Sequence, residues 1–501
     1  MGARYLHAVL AVLLLLAAIL GILLLVLPDK AVEVPPEPMY GIVLDAGSSH
    51  TAMYVYKWPA EKQNGTGIVT QHSQCHMKGG GISSYAGVPG GAAKSLGLCL
   101  DQAVRDIPKS RHHQTPLSLG ATAGMRLLTD VNVTESQQVM REVNEKLRSY
   151  PFRFEEAAIL SGQAEGAYGW VTVNYLLENF IKYGFVGRWL NPDRDTVGAL
   201  DLGGASTQIT FQTSEPILNQ DNGMELKLYG QIYKLYTQSF LCYGKDQVMR
   251  KLLAHLIKNQ GVPLRLYHPC YPKRFIQSIK LGKDVFDSPC TKTLRPARFD
   301  PGTTVTVEGT GDYQSCLNNV TTLFSFDNCS FSKCSFNGVF QPSVSGRFLA
   351  FSAYYYTHNY ISSLSNSSIT SFSRMEAATR QVCKMNISEM MEKTKQPETY
   401  MMNVCAMANY VQVLLERGYR FNDLSAITFK KNVEKTSVGW ALGYMLIKSN
   451  LVPAEGLRHM KAGPVGNWTC LLCLFIVLLV LALVSLVRTI QQIRTLPSGL
   501  V

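Results

Sequence analysis

Two stretches of this chain, 156 residues apart, carry one pattern. In residues 40–58 (YGIVLDAGSSHTAMYVYKW) the apolar run Ile42-Val43-Leu44 leads into Asp45. A turn of small and hydroxyl residues follows, then a second run rich in aromatic and β-branched residues. In residues 196–211 (TVGALDLGGASTQITF) an apolar run leads into Asp201, Gly-Gly, Ser-Thr and another β-rich run. Each reads as strand, tight loop, strand. One such loop alone also fits an ordinary hairpin turn. It can equally point backbone N–H groups and hydroxyls at a phosphate while the Asp faces a metal. Repetition at domain scale constrains the fold far more than either copy does. Two similar α/β domains facing each other would aim both Asp-Gly loops into one cleft, where a nucleotide's phosphates and a divalent cation fit.

The ends of the chain set its compartment. Residues 6–27 are apolar apart from His7, and residues 468–487 carry no charge. Each run is long enough to cross about 30 Å of hydrocarbon. The first has the length of an uncleaved anchor and lacks a clear small-x-small exit site, which disfavours a signal peptide. Arg4 precedes the first run; Arg488 and Arg494 follow the second. Both termini then read as cytoplasmic, with residues 29–467 outside the cell or luminal. Ten of the twelve cysteines fall between the spans. An even number in an oxidising compartment implies disulfides. Cys470 and Cys473 lie inside the second span. Sequons at Asn64, Asn132, Asn319, Asn328, Asn366, Asn386 and Asn467 all sit on the same side as the ten cysteines, with Asn467 against the bilayer.

The 501 residues suffice for two or more domains with real cores. Hydrophobic content of 46% against 17% charged excludes a large disordered region. The net charge of +12 comes from scattered Lys and Arg, with no block of nucleic-acid type.

Between the two repeats the chain alternates strand and helix patterns. Residues 31–38 read as a Pro-rich extended stalk, and residues 64–95 as Gly-rich and irregular. Residues 117–120 read as a strand feeding ATAGMRLL, either a plain strand-to-helix turn or a backbone approach to phosphate. A strand at 157–160 precedes a helix starting at Ser161, with Glu165 in its first turn. By position alone such a Glu is a helix-dipole partner. Beyond about Gln212 come Cys-bearing short elements, then the aromatic residues 348–360, where Tyr354, Tyr355 and Tyr356 either stack a base or pack a core. A helix at 404–418 follows, and then an apolar helix at 437–446 containing Trp440.

DAGSSHT, LGATAGMRLL, SGQAEG, ALDLGGASTQITF and SVGWALGYML resemble, in order and spacing, the five apyrase conserved regions of the cell-surface ecto-nucleoside triphosphate diphosphohydrolases. KWPAEKQNGTGIV and NYLLENFIKYGFVGRW look nearest to the ATP-preferring ecto-ATPase branch. The resemblance runs over nearly the whole chain. It implies two actin-like (RNase H-like) domains flanked by transmembrane helices, with the active site between the domains. The first lobe would span 28–160 and regain 430–466; the second would span 161–429; residues 1–5 and 488–501 would be cytoplasmic.

By the same resemblance, Glu165 would be the general base on an attacking water, held with the help of Ser206 and Gln208. Asp45 and Asp201 would bind Ca²⁺ or Mg²⁺ through waters, with Trp440 near the metal shell. Ser48, Ser49, His50, Thr122, Ala123, Gly204, Ala205 and Ser206 would contact phosphates, and Tyr355 would stack the base. Implied disulfides are Cys75–Cys99, Cys242–Cys290, Cys270–Cys316, Cys329–Cys334 and Cys383–Cys405. The third motif carries Ala164 where members often carry Glu.

These roles suit phosphoanhydride hydrolysis, which needs an in-line water, a base and charge stabilisation more than covalent chemistry. The expected activity is hydrolysis of extracellular ATP, with ADP and UTP as further substrates, at the plasma membrane. No nucleic-acid partner is expected, and two spans per chain leave room for a homo-oligomer. A luminal diphosphatase, a catalytically silent surface glycoprotein and an actin-like kinase are the competing readings. The second span, the intact acidic residues and the disulfide content weigh against them in turn.

Overall fold

The computed structural model describes residues 2–26, 32–34, 37–184, 188–434, 436–455, 458–460 and 465–494. The chain divides into a terminal unit, residues 1–37 with 455–501, and a central unit, residues 38–454. In the terminal unit, helices Gly2–Val26 and Val465–Arg494 contain the apolar spans Leu6–Val26 and Asn467–Gln492. At 21 and 26 residues both are long and apolar enough to cross a membrane. The two helices pack on each other, with Gly21 directly under Phe475. The Pro-rich stretch expected as a stalk contains a short strand, Val32–Val34, paired antiparallel with Arg458–Met460. Its residues 31, 35 and 36, the last residue of the expected first span (Leu27), residues 28–30, residues 185–187 of the ecto-ATPase-like stretch and the tail residues 495–501 lie outside the described residues.

The central unit contains one strand order twice. The first sheet is built from β1 (Met39–Ala46), β2 (Thr51–Trp58), β3 (Thr70–His76), β4 (Pro116–Ala121) and β5 (Arg153–Ile159), in the order β3-β2-β1-β4-β5. β1, β2 and β3 are antiparallel neighbours, whereas β4 and β5 run parallel to β1. The second sheet has β6 (Gly198–Leu202), β7 (Ser206–Gln212), β8 (Gly223–Leu228), β9 (Gln231–Leu241), β10 (Arg347–Ser352) and β11 (Ala426–Phe429). Its order is β8-β9-β7-β6-β10-β11, again with two antiparallel neighbours beside the first strand and two parallel strands beyond it. With the extra edge strand β8 set aside, the two orders coincide. This is the α/β, actin-like plan that the resemblance implies, and it gives the two similar domains that the repeat implies. β1, β4, β6 and β7 are buried almost throughout, as expected of central strands covered on both faces.

β3 corrects one expectation. Residues 64–95 read as irregular, yet they contain this seven-residue strand and the start of helix Gly91–Asp106. β3 is a half-exposed edge of polar sequence, TQHSQCH, so no apolar alternation marks it; pairing with β2 makes it a strand. Likewise the helix expected at 404–418 runs α-helical only over Val404–Val413, then closes in a wider turn, Leu414–Gly418.

Helices link the sheets. α1 (Ala123–Val131) follows β4; α2 (Gly162–Leu176) follows β5; α3 (Lys245–Gln260) follows β9; α4 (Ala353–Ser365) follows β10; α5 (Trp440–Ser449) comes last. α2 lies on the second sheet against β6, β7 and β9, while α5 lies near β1 and β2 of the first. The two helices pack on each other, closing a core of Trp58, Trp170, Phe180, Tyr233, Trp440 and Tyr444 between the sheets. Each such side chain contributes roughly 1.5–3 kcal/mol on burial. Five disulfides are formed: Cys75–Cys99, Cys242–Cys290, Cys270–Cys316, Cys329–Cys334 and Cys383–Cys405.

The α2–α5 contact depends on one glycine. A Cβ at Gly443 would strike the Tyr168 carbonyl oxygen and stand 3.1 Å from the Thr172 nitrogen, and the Gly443 N–H donates to Thr172 Oγ1 at 2.8 Å. Backbone atoms cannot rotate away. Gly443→Ala is expected to destabilise the central unit by about 1–3 kcal/mol. Thermal melting of the detergent-solubilised chain checks this, and an unchanged melting temperature would refute the tight contact.

Candidate active site

Asp45 and Asp201 occupy equivalent places at the ends of the first strands of their sheets. Asp45 pairs with Ala52 on β2 and Gly120 on β4; Asp201 pairs with Gln208 on β7 and Phe351 on β10. Burial pushes both carboxyls up to about 7, and the Glu165 charge pushes them the same way. The Trp440 indole opposes the rise at Asp45, and Asp201 adds to it. The Ser352 side chain opposes the rise at Asp201. Asp45 therefore senses both other carboxylates and Asp201 senses Glu165, although the three come from different elements. The Trp440 Nε1 itself is buried and makes no close hydrogen bond.

Glu165 sits in the first turn of α2. The cap duty there is taken by Ser161, whose side chain accepts from the Ala164 N–H at 3.1 Å. The Glu165 side chain is thus free to turn inward, where it is 7% exposed. Its Oε2 accepts from Arg126 Nη2 at 2.9 Å and from Gln208 Nε2 at 3.2 Å. Gln208 Nε2 also lies 2.7 Å from Ser206 Oγ and 3.0 Å from Ser239 Oγ. Burial raises the Glu165 pKa and Arg126 works against the rise. The Gln208 Oε1 is buried without a hydrogen-bond partner. α2 comes this close to the sheet because it turns glycines toward it. A Cβ at Gly166 would lie 2.6 Å from Thr210 Oγ1 and 2.9 Å from Thr237 Oγ1, and one at Gly162 would strike the Ser239 side chain.

The two Asp-Gly loops face each other. A Cβ at Gly204 would collide with Ser48 Oγ and stand 2.7 Å from Asp246 Oδ2. A Cβ at Gly124, in α1, would stand 2.8 Å from Ser48 Cα. Ser48 is therefore enclosed by α1 on one side and the second loop on the other. The Thr122 N–H donates to the Ala46 carbonyl at 3.1 Å. Ala123 and Leu127 from α1 pack with Ala205 and Cys290 from across the cleft. The second loop runs directly into α3: the Lys245 and Asp246 N–H groups donate to the Gly203 and Gly204 carbonyls, both at 2.9 Å. Ser49 and His50 are exposed at the loop tip, with Ser49 Oγ 3.1 Å from His50 Nδ1. Burial, then His76 and Lys245, lower the His50 pKa.

The structure thus brings together Asp45, Asp201, Glu165, Ser206, Gln208, Trp440 and both loops. Tyr355 is half-buried in the first turn of α4, and its ring contact is with Tyr356, 5.4 Å away and edge-on. Tyr354 is fully buried with its hydroxyl 3.2 Å from Thr207 Oγ1, so it packs a core. Among the sequons, Asn64, Asn328, Asn366, Asn386 and Asn467 are exposed, whereas Asn132 and Asn319 are half-buried. Asn132 and Asn386 use their side chains as helix caps. Among the described residues no group of three or more His, Cys, Asp or Glu side chains could hold a metal.

Three participants escaped the sequence reading. Arg126 lies within the quoted LGATAGMRLL, and a charge three residues into a helix that starts at the loop was the available signal. Ser239 carries none. Gly81, in the stretch read as irregular, abuts the first loop: a Cβ there would collide with the Gly47 carbonyl and stand 3.1 Å from that of Ser48. Gly81→Ala is accordingly expected to displace the Gly47-Ser48 backbone and to lower turnover by about tenfold or more, as misplaced positioning groups do. Comparing turnover with the melting temperature checks this. Wild-type turnover would show the loop to be tolerant.

Residues 31–461 match the model of the GDA1/CD39 (nucleoside phosphatase) family. The chain is 50% identical over 460 residues to ectonucleoside triphosphate diphosphohydrolase 2 of Homo sapiens, covering 91% of each chain. It is 42% identical over 454 residues to ectonucleoside triphosphate diphosphohydrolase 8 of Gallus gallus, covering 90% of this chain and 91% of the relative. Among solved structures, a nucleoside triphosphate hydrolase from Neospora caninum superposes with a TM-score of 0.60 at 16% identity, covering 83% of this chain and 92% of that one. That likeness bears on the fold.

Proposed function

The chain belongs to the GDA1/CD39 (nucleoside phosphatase) family, and from that premise we propose that it hydrolyses the terminal phosphoanhydride of extracellular nucleoside triphosphates such as ATP. The observation that carries this reading is the convergence of buried Glu165 and Asp201 with half-buried Asp45 beside two facing Gly-rich loops. The relatives bear the name ectonucleoside triphosphate diphosphohydrolase, which supports the substrate class and an ectodomain outside the cell. Both termini are then cytoplasmic, residues 28–160 with 430–466 form one lobe, and residues 161–429 form the other. ADP and UTP are the further substrates of this reading.

In the proposed step a water oxygen attacks the terminal phosphorus as the bond to the bridging oxygen breaks. The water proton passes to Glu165, and nucleoside diphosphate and phosphate leave. Glu165 is the general base, with Ser206 and Gln208 holding the water. Ser48, Ser49, His50, Thr122, Ala123, Gly204 and Ala205 present N–H groups and hydroxyls to the phosphates, in a cleft where such donors act strongly. Tyr355 stacks the base. Asp45 and Asp201 are hard oxygen donors whose pKa values are raised first by burial and then by the Glu165 charge. They fit a divalent cation, Ca²⁺ or Mg²⁺, and with only two carboxylates available the remaining positions fall to water. Such an ion supplies charge neutralisation on the phosphate oxygens.

Intact cells producing the chain are expected to release phosphate from added ATP, and EDTA is expected to stop it. Glu165→Ala should lower turnover by roughly 10² or more; near-wild-type turnover would exclude Glu165 as the base. The cation site has a pH signature. In the cation-free fold Asp45 and Asp201 titrate near 7 against an ordinary 3.8. Their contribution to stability is therefore complete below the ordinary value and lost as pH rises through about 7. A cation that binds only the ionised forms reverses that loss. The melting-temperature gain from added Ca²⁺ or Mg²⁺ should be larger at about pH 8 than at about pH 5.5. Equal gains at both would count against this pair as the cation's anchor.

A further inference from the structure

We infer that Arg126 is a positioning residue that sets the direction of the hydrogen bonds around the attacking water, acting through Glu165 and Ser206. The inference rests on the reading of Glu165 as the base. One nitrogen, Nη2, lies 2.9 Å from Glu165 Oε2 and 3.1 Å from Ser206 Oγ. The other, Nη1, donates to the Leu160 carbonyl at 2.9 Å, which ties the guanidinium to the backbone just past β5. The side chains are well enclosed, at 16% exposure for Arg126 and 9% for Glu165. A planar fork joined to three acceptors has little freedom left.

Counting donors and acceptors shows what this arrangement does. Glu165 Oε2 is occupied by Arg126, and Gln208 Nε2 shares its two hydrogens among Ser206 Oγ, Ser239 Oγ and, at the longest distance, Glu165 Oε2. Among the described residues no protein group donates to Glu165 Oε1, which is left to accept from a water. Ser206 Oγ receives from Arg126 and from Gln208, which fills both lone pairs of its hydroxyl. Its own O–H can then only donate. A water between Glu165 Oε1 and Ser206 would give a proton to the carboxylate and receive one from the hydroxyl, the polarity a nucleophilic water needs. Without Arg126, Ser206 could turn and accept, and Glu165 would keep one neutral donor. Arg126 also spans the cleft: it is on α1, beside the first sheet, and Ser206 opens β7 of the second.

The test is a double-mutant cycle on the full-length chain in membranes, with ATP and saturating Mg²⁺. Arg126→Gln should lower kcat by about 10², the scale of a general base's contribution, with KM within about threefold. Arg126→Lys, which keeps the charge but not the fork, should fall between it and wild type with KM again unchanged. In a Glu165→Gln background, adding Arg126→Gln should change kcat by no more than about twofold, because the partner through which it acts is already lost. A purely structural role would instead give losses that multiply. Multiplying losses, a fully active Arg126→Lys, or a rise in KM alone, the signature of direct phosphate binding, would each overturn the inference. Near-wild-type kcat in Glu165→Gln by itself would remove the base, and this role with it, and that outcome is read before the cycle is closed.

Discussion

Three carboxylates held close together, with the Glu165 charge raising the pKa of both Asp45 and Asp201, are the constraint this molecule is built around. Asp45 and Asp201 are pushed up to about 7, first by burial and then by the charge of Glu165. Such groups repel and would not gather spontaneously; the fold holds them together. Each Asp ends the first strand of its sheet, and that strand has an antiparallel neighbour on one side and a parallel one on the other. Both central strands therefore deliver their carboxyl ends to one crevice, where open α/β sheets place their ligands. The third acid arrives on α2, the helix joining the sheets.

Close approach is the second requirement, and glycine meets it at few positions. Gly162 and Gly166 let α2 settle onto the hydroxyls of Ser239, Thr210 and Thr237, which fixes the height of Glu165 above the sheet. Gly443 lets α5 lie against α2, and α5 in turn carries Trp440 to Asp45. Gly124 and Gly204 leave just enough room for Ser48. A methyl group at Gly124, Gly162, Gly166 or Gly204 would press directly on residues of the site.

What could be read from the sequence follows from how local each signal is. The Asp-x-Gly loops, their flanking strands and the first-turn Glu165 are contiguous patterns, and the repeat over 156 residues made their juxtaposition legible. Asp45 and Asp201 were placed correctly in their strands because apolar runs ending in a carboxylate have few alternatives. Arg126 was overlooked because its partners, Glu165, Ser206 and the Leu160 carbonyl, are 34 to 80 residues away. Gly81 carries no signal of its own within a Gly-rich stretch because its neighbour in space is the Gly47 carbonyl, not anything near it in sequence. β3 was missed because an exposed polar edge strand carries no period of its own. Among the three consecutive tyrosines, burial alone separates Tyr354 from its neighbours, and composition cannot express that.

The same logic explains how the third motif does without a Glu at position 164. Ser161 is the cap and Ala164 the third residue of α2. A Glu at that position would normally reach back to the cap N–H and complete a reciprocal capping box. Here the Ser161 side chain satisfies the Ala164 N–H alone. What is lost is the returning hydrogen bond of the capping box. What is kept is the separation of tasks between neighbours: Ser161 closes the helix, and Glu165, one residue beyond the box position, is committed to the interior by Arg126 and Gln208. The chemistry depends on which acid faces inward, and that is decided by donors from α1 and β7, not by the residue at 164.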